Sequence, residues 1–150
     1  MAKSQALVAQ YDDFEPRNLP GEHVNGSLTV GENIGDLGGL TIAHKAYVIS
    51  RGGEAPVEDR RTLFLNWSHV WRTKRRKEQE LQYLTIDPHS PAEFRANIVR
   101  NLDEFHEVFE TAPGDVIAAY LLSHCPSRIG MSYLRDQYAP NFAAFLMPSS

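Results

Sequence analysis

Two carboxylates spaced for one helix face are the first residues here that could do chemistry. Glu32 and Asp36 stand four residues apart in Gly31-Glu32-Asn33-Ile34-Gly35-Asp36-Leu37-Gly38-Gly39. That spacing puts both side chains on the same side of a helix, where like charges weaken it by roughly 0.2–0.5 kcal/mol. Gly38 and Gly39 each cost about 1 kcal/mol relative to alanine. A cation held by the carboxylates, with another backbone packed on the glycines, would offset these penalties. A solvent-facing acidic pair on a helix that needs close packing is the plainer alternative. Glu32 has a third use, as partner of Thr29 in a capping box.

Two other groupings invite a chemical reading. His106 and Glu110, also four apart in His106-Glu107-Val108-Phe109-Glu110, are spaced to touch one metal. Phe105, Val108 and Phe109 already define a buried face there, so a surface polar pair is the expectation. The run Thr73-Lys74-Arg75-Arg76-Lys77 is basic enough to suggest nucleic acid or an anionic surface. Glu78 and Glu80 follow Lys74 and Arg76 at spacing four, so a solvated helix face is expected instead, with no nucleic-acid partner. The net charge of −4 supplies no global positive field. The single cysteine, Cys125, excludes an internal disulfide and a cysteine-based structural zinc site.

The elements that must position these groups read as helices. With 150 residues, 42% hydrophobic and 23% charged, the chain has the length and composition of one globular domain. No apolar run approaches the roughly 20 residues of a membrane span, and the opening eight residues lack a signal peptide's apolar core. The first 28 residues are turn-rich, with only residues 6–11 regular. A helix is expected from Thr29, with Ile34, Leu37, Ile42, Ala46 and Ile49 at helical spacing and Arg51-Gly52-Gly53 as its stop. A longer one spans about 57–84, carrying Leu63, Trp67, Val70 and Trp71, until Asp87-Pro88-His89 breaks it. Ser90-Pro91-Ala92-Glu93 then supplies a cap, a first-turn proline and a third-position glutamate. A short helix near Asn101 should end at Pro113-Gly114, and residues 116–122 could form another. No strand alternation appears, so the class is mainly α.

Three of these segments, in order, carry a family likeness. Val24-Asn25-Gly26 with residues 31–39, Trp67 to Lys74, and Asp87-Pro88-His89-Ser90-Pro91-Ala92-Glu93-Phe94-Arg95 follow the order and approximate spacing of the neprilysin family of zinc metallopeptidases. The chain resembles that family over roughly residues 6–115. The resemblance implies the C-terminal helical part of a thermolysin-like metallopeptidase catalytic domain over residues 1–115, followed by a divergent tail, 116–150. It implies a peptide substrate and one zinc ion, with Glu32 as a metal ligand. Asp36 matches the carboxylate that accepts a proton from a zinc-bound histidine and fixes its tautomer. His89 matches the histidine that hydrogen-bonds the developing oxyanion, with Asp87 placed to orient its ring. Arg95 matches the arginine that grips the substrate's carbonyl oxygen. Without the resemblance, His89 reads as a loop histidine near a helix cap and Arg95 as an exposed helix residue.

The same likeness sets out what is missing. The family's zinc site also needs a His-Glu-x-x-His helix. The histidines here are His23, His44, His69, His89, His106 and His124, no two of them four apart. The family's Asn-Ala-x-Tyr substrate segment is absent too. One carboxylate does not hold a catalytic zinc, which takes three protein ligands and water. The expectation is therefore a chain inactive alone, completed by an upstream half bearing the missing motif. The connection 52–62 is shorter than the family's, and the glycine expected after Asn97 is absent, which would shift the helix register near Arg95. The tail suits a rearranged reading frame or a lineage-specific extension, and no function falls on His124 or Cys125. The rival reading is a non-catalytic interaction module presenting Phe64, Trp67, Trp71 and Tyr83 as an apolar patch. The family is often extracytoplasmic, yet nothing in this chain would export it, so the compartment stays open.

Overall fold

Asn25 starts the helix on which the rest of the fold is assembled. In the computed structural model, which describes residues 2–111, α1 spans Ala2–Asp12 and α2 spans Gly26–Ser50. They are followed by α3 (Val57–Val70), α4 (Lys77–Ile86), α5 (Ala92–Ala96), a 3-10 turn (Asn97–Asn101) and α6 (Asp103–Phe109). The fold is mainly α, with no strand among the described residues.

The capping box expected at Thr29 does not form, because α2 has already begun. Asn25 Oδ1 accepts the Leu28 N–H at 2.9 Å, and its carbonyl accepts the Thr29 N–H. Thr29 is therefore inside the helix. Its hydroxyl donates to the Asn25 carbonyl and accepts from Asn33 Nδ2 at 3.1 Å. Asn25 is an equally good cap, and Gly26 after it lets α2 seat against α1. The Gly26 N–H donates to Asp12 Oδ1 at 2.6 Å, and a Cβ there would run into the Val8 carbonyl oxygen. The helix α1 is also longer than the 6–11 stretch anticipated, with Leu7 and Tyr11 buried.

The two faces of α2 reverse the expected pattern. Thr29, Asn33, Asp36, Leu40 and His44, at spacings of three and four, make the buried face. On the opposite side lie Gly31, Gly35, Gly38, Ile42 and Ile49; the last two are 69% and 73% exposed. The polar face turns inward because its side chains find partners there, Ser90 for Asn33 and Arg95 for Asp36. No backbone packs on Gly38-Gly39 among the described residues. Nothing among the described residues comes within 4 Å of a Cβ added at Gly31, Gly35, Gly38 or Gly39. Two glycines of one helix should therefore respond oppositely to alanine. Gly38→Ala is expected to raise the isolated chain's stability by about 0.5–1 kcal/mol. Gly26→Ala should lower it by about 1 kcal/mol or more, through the clash with Val8. Urea denaturation of both variants reads the difference.

The single helix expected over 57–84 is two helices. Five cations crowd residues 72–77, and their mutual repulsion opposes winding them together. The chain leaves α3 at Trp71, through Trp71 N–H to Ser68 O and Arg72 N–H to His69 O, and resumes at Lys77. Glu78 and Glu80 then sit in the first turn of α4, the favourable end of the helix dipole for acids. Residues 73–76 are thus non-helical, and the anticipated Lys74–Glu78 and Arg76–Glu80 helical pairs give way to other contacts. Glu80 accepts from Asn18 Nδ2 at 3.3 Å.

Ser90 does not cap α5 either. Pro91 holds the cap position without a side-chain bond, and Glu93 accepts the Arg17 N–H at 3.1 Å. The core closes around Phe64, fully buried, with Phe105 edge-on at 5.5 Å and His44 stacked at 5.5 Å. Ile98, Val99, Leu102, Val108 and Phe109 complete it, so the apolar face anticipated for α6 is present. This helix ends at Glu110, in the left-handed region at φ 52°. The stop at Pro113-Gly114, the helix at 116–122, the tail and the residues His124 and Cys125 lie outside the described residues. The four aromatics of the supposed patch do not stand out from the surface. Phe64 is core, while Trp67, Trp71 and Tyr83 are half-buried.

Candidate functional site

One buried hydrogen bond registers the site. Asn33 on α2 accepts from the Ser90 hydroxyl at 2.8 Å across 57 residues of sequence. Glu32 precedes Asn33 and His89 precedes Ser90, so this bond brings the carboxylate and the imidazole together. Glu32 Oε2 lies 3.2 Å from His89 Nε2. On the other side of the ring, His89 Nδ1 is 2.7 Å from Asp87 Oδ1, which also accepts the His89 backbone N–H at 2.9 Å. Burial pushes the Asp87 carboxyl up. The two His89 hydrogen bonds, and the charges of His89 and Arg75, outweigh that and hold it below its ordinary value. The ring is thus fixed between two carboxylates while Glu32 and His89 stay 46% and 45% exposed.

Arg95, from α5, meets Asp36 one helical turn along α2 from Glu32. Its Nε and Nη2 donate to Asp36 Oδ2 and Oδ1, both at 2.7 Å. Those bonds raise the guanidinium pKa, against the opposing effect of burial. The pair is largely enclosed, with Arg95 17% and Asp36 8% exposed. Trp71 forms the floor, its ring 4.0 Å from the guanidinium carbon, and Trp67 Nε1 donates to the Arg95 carbonyl at 3.2 Å. The 3-10 turn begins only at Asn97, so the helix changes pitch after Arg95 rather than beneath it. Asp36 uses two of the five guanidinium donors and keeps acceptor capacity of its own.

All five residues singled out in the sequence converge here, as a trio and a pair. Glu32, His89 and Asp87 form one line; Asp36 and Arg95 form the other. Among the described residues no histidine bonds Asp36. Trp71, Arg95 and His89 border a shallow cleft of about 190 Å³ with Asp87, Thr73 and Arg75. Sequence reading missed Asn33 and Ser90 as positioning residues, since Ser90 carried a convincing cap signal. It also missed Trp71 as the support under Arg95, because a Trp67–Trp71 stripe reads equally well as core.

Glu32 is a half-exposed carboxylate of the right chemistry for zinc. No group of three His, Cys, Asp or Glu that could hold an ion occurs among the described residues. Among the described residues, Glu32 has the chemistry of one zinc ligand, and no complete ligand set is present. The His106–Glu110 pair is structural. His106 Nδ1 is 2.6 Å from Thr111 Oγ1 and its Nε2 is 2.8 Å from the Arg100 carbonyl, while Glu110 lies 4.0 Å from Arg61.

The chain is similar in sequence and fold to known proteins. The sequence profile described as Peptidase family M13 matches residues 1–125. A neutral endopeptidase of Lactococcus lactis is 36% identical over 114 residues, covering 75% of this chain and 17% of the relative. Human neprilysin is 37% identical over 116 residues, covering 71% of this chain and 16% of that protein. The crystal structure of a Mycobacterium tuberculosis zinc metalloprotease, in complex with inhibitor, superposes with a TM-score of 0.70 at 46% identity. It covers 76% of this chain and 19% of that one. This chain thus spans less than a fifth of each relative's length.

Proposed function

The chain belongs to peptidase family M13, the neprilysin family of metallopeptidases, and from that membership we propose that it supplies one wall of a zinc endopeptidase centre. Glu32 takes one ligand position of a zinc ion whose other protein ligands come from a segment bearing His-Glu-x-x-His outside these 150 residues. Zinc in such a site polarises the scissile carbonyl and activates water, and the rest of the assignment concerns this chain's own groups. His89 donates from Nε2 to the oxyanion that develops on the substrate carbonyl, and Asp87 holds its ring in line. Arg95, rigid between Asp36 and Trp71, offers its remaining donors to a peptide carbonyl. The free acceptor capacity of Asp36 is available to a histidine of the completing segment. Alone, the chain is expected to be inactive.

The observation that carries this reading is that α2 and the 87–95 segment bring Glu32 to His89 and Asp36 to Arg95, with His89 and Arg95 both bordering one open cleft. The open Gly31, Gly35, Gly38 and Ile42 face of α2, beside Glu32, supports it further: a helix that buries Asn and Asp and exposes Gly and Ile is shaped to pack a second surface. The proposed occupant is the His-Glu-x-x-His segment. Co-expression with such a segment is expected to restore hydrolysis of a quenched-fluorescence peptide, and a complex that forms yet cuts nothing would contradict the assignment. On the membrane question, no described helix is long and apolar enough to cross a bilayer.

A further inference from the structure

We propose that Arg75 selects peptides carrying a carboxylate, acting as a cationic rim on the cleft that His89 and Arg95 border. The proposal rests on the peptide-binding reading of that cleft. Because residues 73–76 are non-helical, the basic run is not a solvated helix face. Thr73 and Arg75, two apart, both line the cleft. Arg76 instead borders a separate depression with Glu78, Gln79 and Gln82.

Arg75 is anchored and electrically available. Its guanidinium lies over the Tyr83 ring, 4.8 Å from the centroid, which orients an otherwise flexible side chain. The other charges bordering the cleft are already matched. Arg95 is bidentate with Asp36, and Asp87 is bonded to His89. Among the described residues no carboxylate forms an ion pair with Arg75. A ligand carboxylate entering between Arg75 and Arg95 breaks no direct ion pair of Arg75, and it shares that charge with Asp87, whose carboxyl Arg75 already helps to hold below its ordinary value. Arg72, Lys74, Arg76 and Lys77 surround the position and add to the local positive field.

Two sources offer that group, an acidic side chain and a peptide's free C-terminus. Three short peptides of one sequence separate them: Glu with an amidated end, Gln with an amidated end, and Gln with a free end. Each is titrated into the full chain at low salt, and binding is read from the indole N–H resonance of Trp71 in the cleft wall. At least one carboxylate-bearing peptide is expected to bind about three- to fivefold more tightly than the neutral one. The favoured one identifies the source. The advantage should fade as ionic strength rises from about 0.01 to 0.15 M. Arg75→Gln should abolish it, so that the three peptides bind alike, and Arg76→Gln should preserve it. Equal binding of all three peptides overturns the proposal. So does a preference that survives Arg75→Gln, or one that Arg76→Gln removes equally. If no peptide binds at all, both this assignment and the peptide-binding reading of the cleft fall; equal binding removes only the first.

Discussion

Asp36→Ala is expected to destabilise the chain by about 3–5 kcal/mol, a large share of the roughly 5–15 kcal/mol that holds a domain of this size folded. The reason is the group left behind. Arg95 sits 17% exposed over Trp71, with Asp36 as its only ion-pair partner among the described residues. Removing the carboxylate strands a cation that water reaches poorly. The cost therefore measures desolvation of the orphaned guanidinium more than the worth of the pair itself. A second variant separates the two. Asp36→Leu combined with Arg95→Met replaces both charges with apolar groups and should recover most of the loss, because no buried charge remains unmatched. Urea midpoints of wild type, single and double variants give the comparison. A single variant within about 1 kcal/mol of wild type would show that the pair is open to solvent.

In the completed enzyme, His89→Ala is expected to retain zinc and slow turnover by about 100-fold or more, acting on kcat rather than KM. Asp87 holds the imidazole through Nδ1 at 2.7 Å, which leaves Nε2 as the donor; that nitrogen faces Glu32 at 3.2 Å and is free for the oxyanion when Glu32 is committed to the metal. An alanine leaves a space that water fills without that orientation. Because Asp87 acts through His89, Asp87→Ala added to His89→Ala should change little further. Steady-state kinetics on the single and double variants test this. Wild-type rates from His89→Ala would remove the residue from the chemistry, and additive losses would give Asp87 a separate role.

How much of this was legible beforehand depended on whether the signal was local. The helical class, the stop at Arg51-Gly52-Gly53, the break at Asp87-Pro88-His89 and the apolar face of α6 all rest on nearby residues, and all appear. The site residues were named through three family segments, and α2 and the 87–95 segment bring them together. What failed was decided partly by a competing local signal, the Asn25 cap and the repulsion within 72–77, and partly at long range. Thr29 with Glu32 and Ser90 with Glu93 are sound local cap patterns, yet Thr29 turned inward to Asn33 and Ser90 bonded Asn33 across 57 residues. The same tertiary bonds turned the polar side of α2 toward the core, against the apolar periodicity of Ile34, Ile42 and Ile49. The helical spacing of Leu63, Trp67, Val70 and Trp71 predicts a helix that runs on through the basic run. Its own repulsion, and Trp71 folding under Arg95, end the helix at that point. Ser90 with Asn33, and Trp71 with Arg95, are far apart in sequence, so no short window along the chain contains them.

Metal content puts the role of Glu32 to the most direct test. Purified with the His-Glu-x-x-His segment and dialysed against a weak chelator, the complex is expected to retain one zinc per copy. The Glu32→Ala complex, equally well assembled, is expected to retain none, and the chain by itself to hold no stoichiometric metal. Full zinc occupancy in the Glu32→Ala complex, or in this chain alone, would contradict the assignment of Glu32 as the ligand this chain contributes.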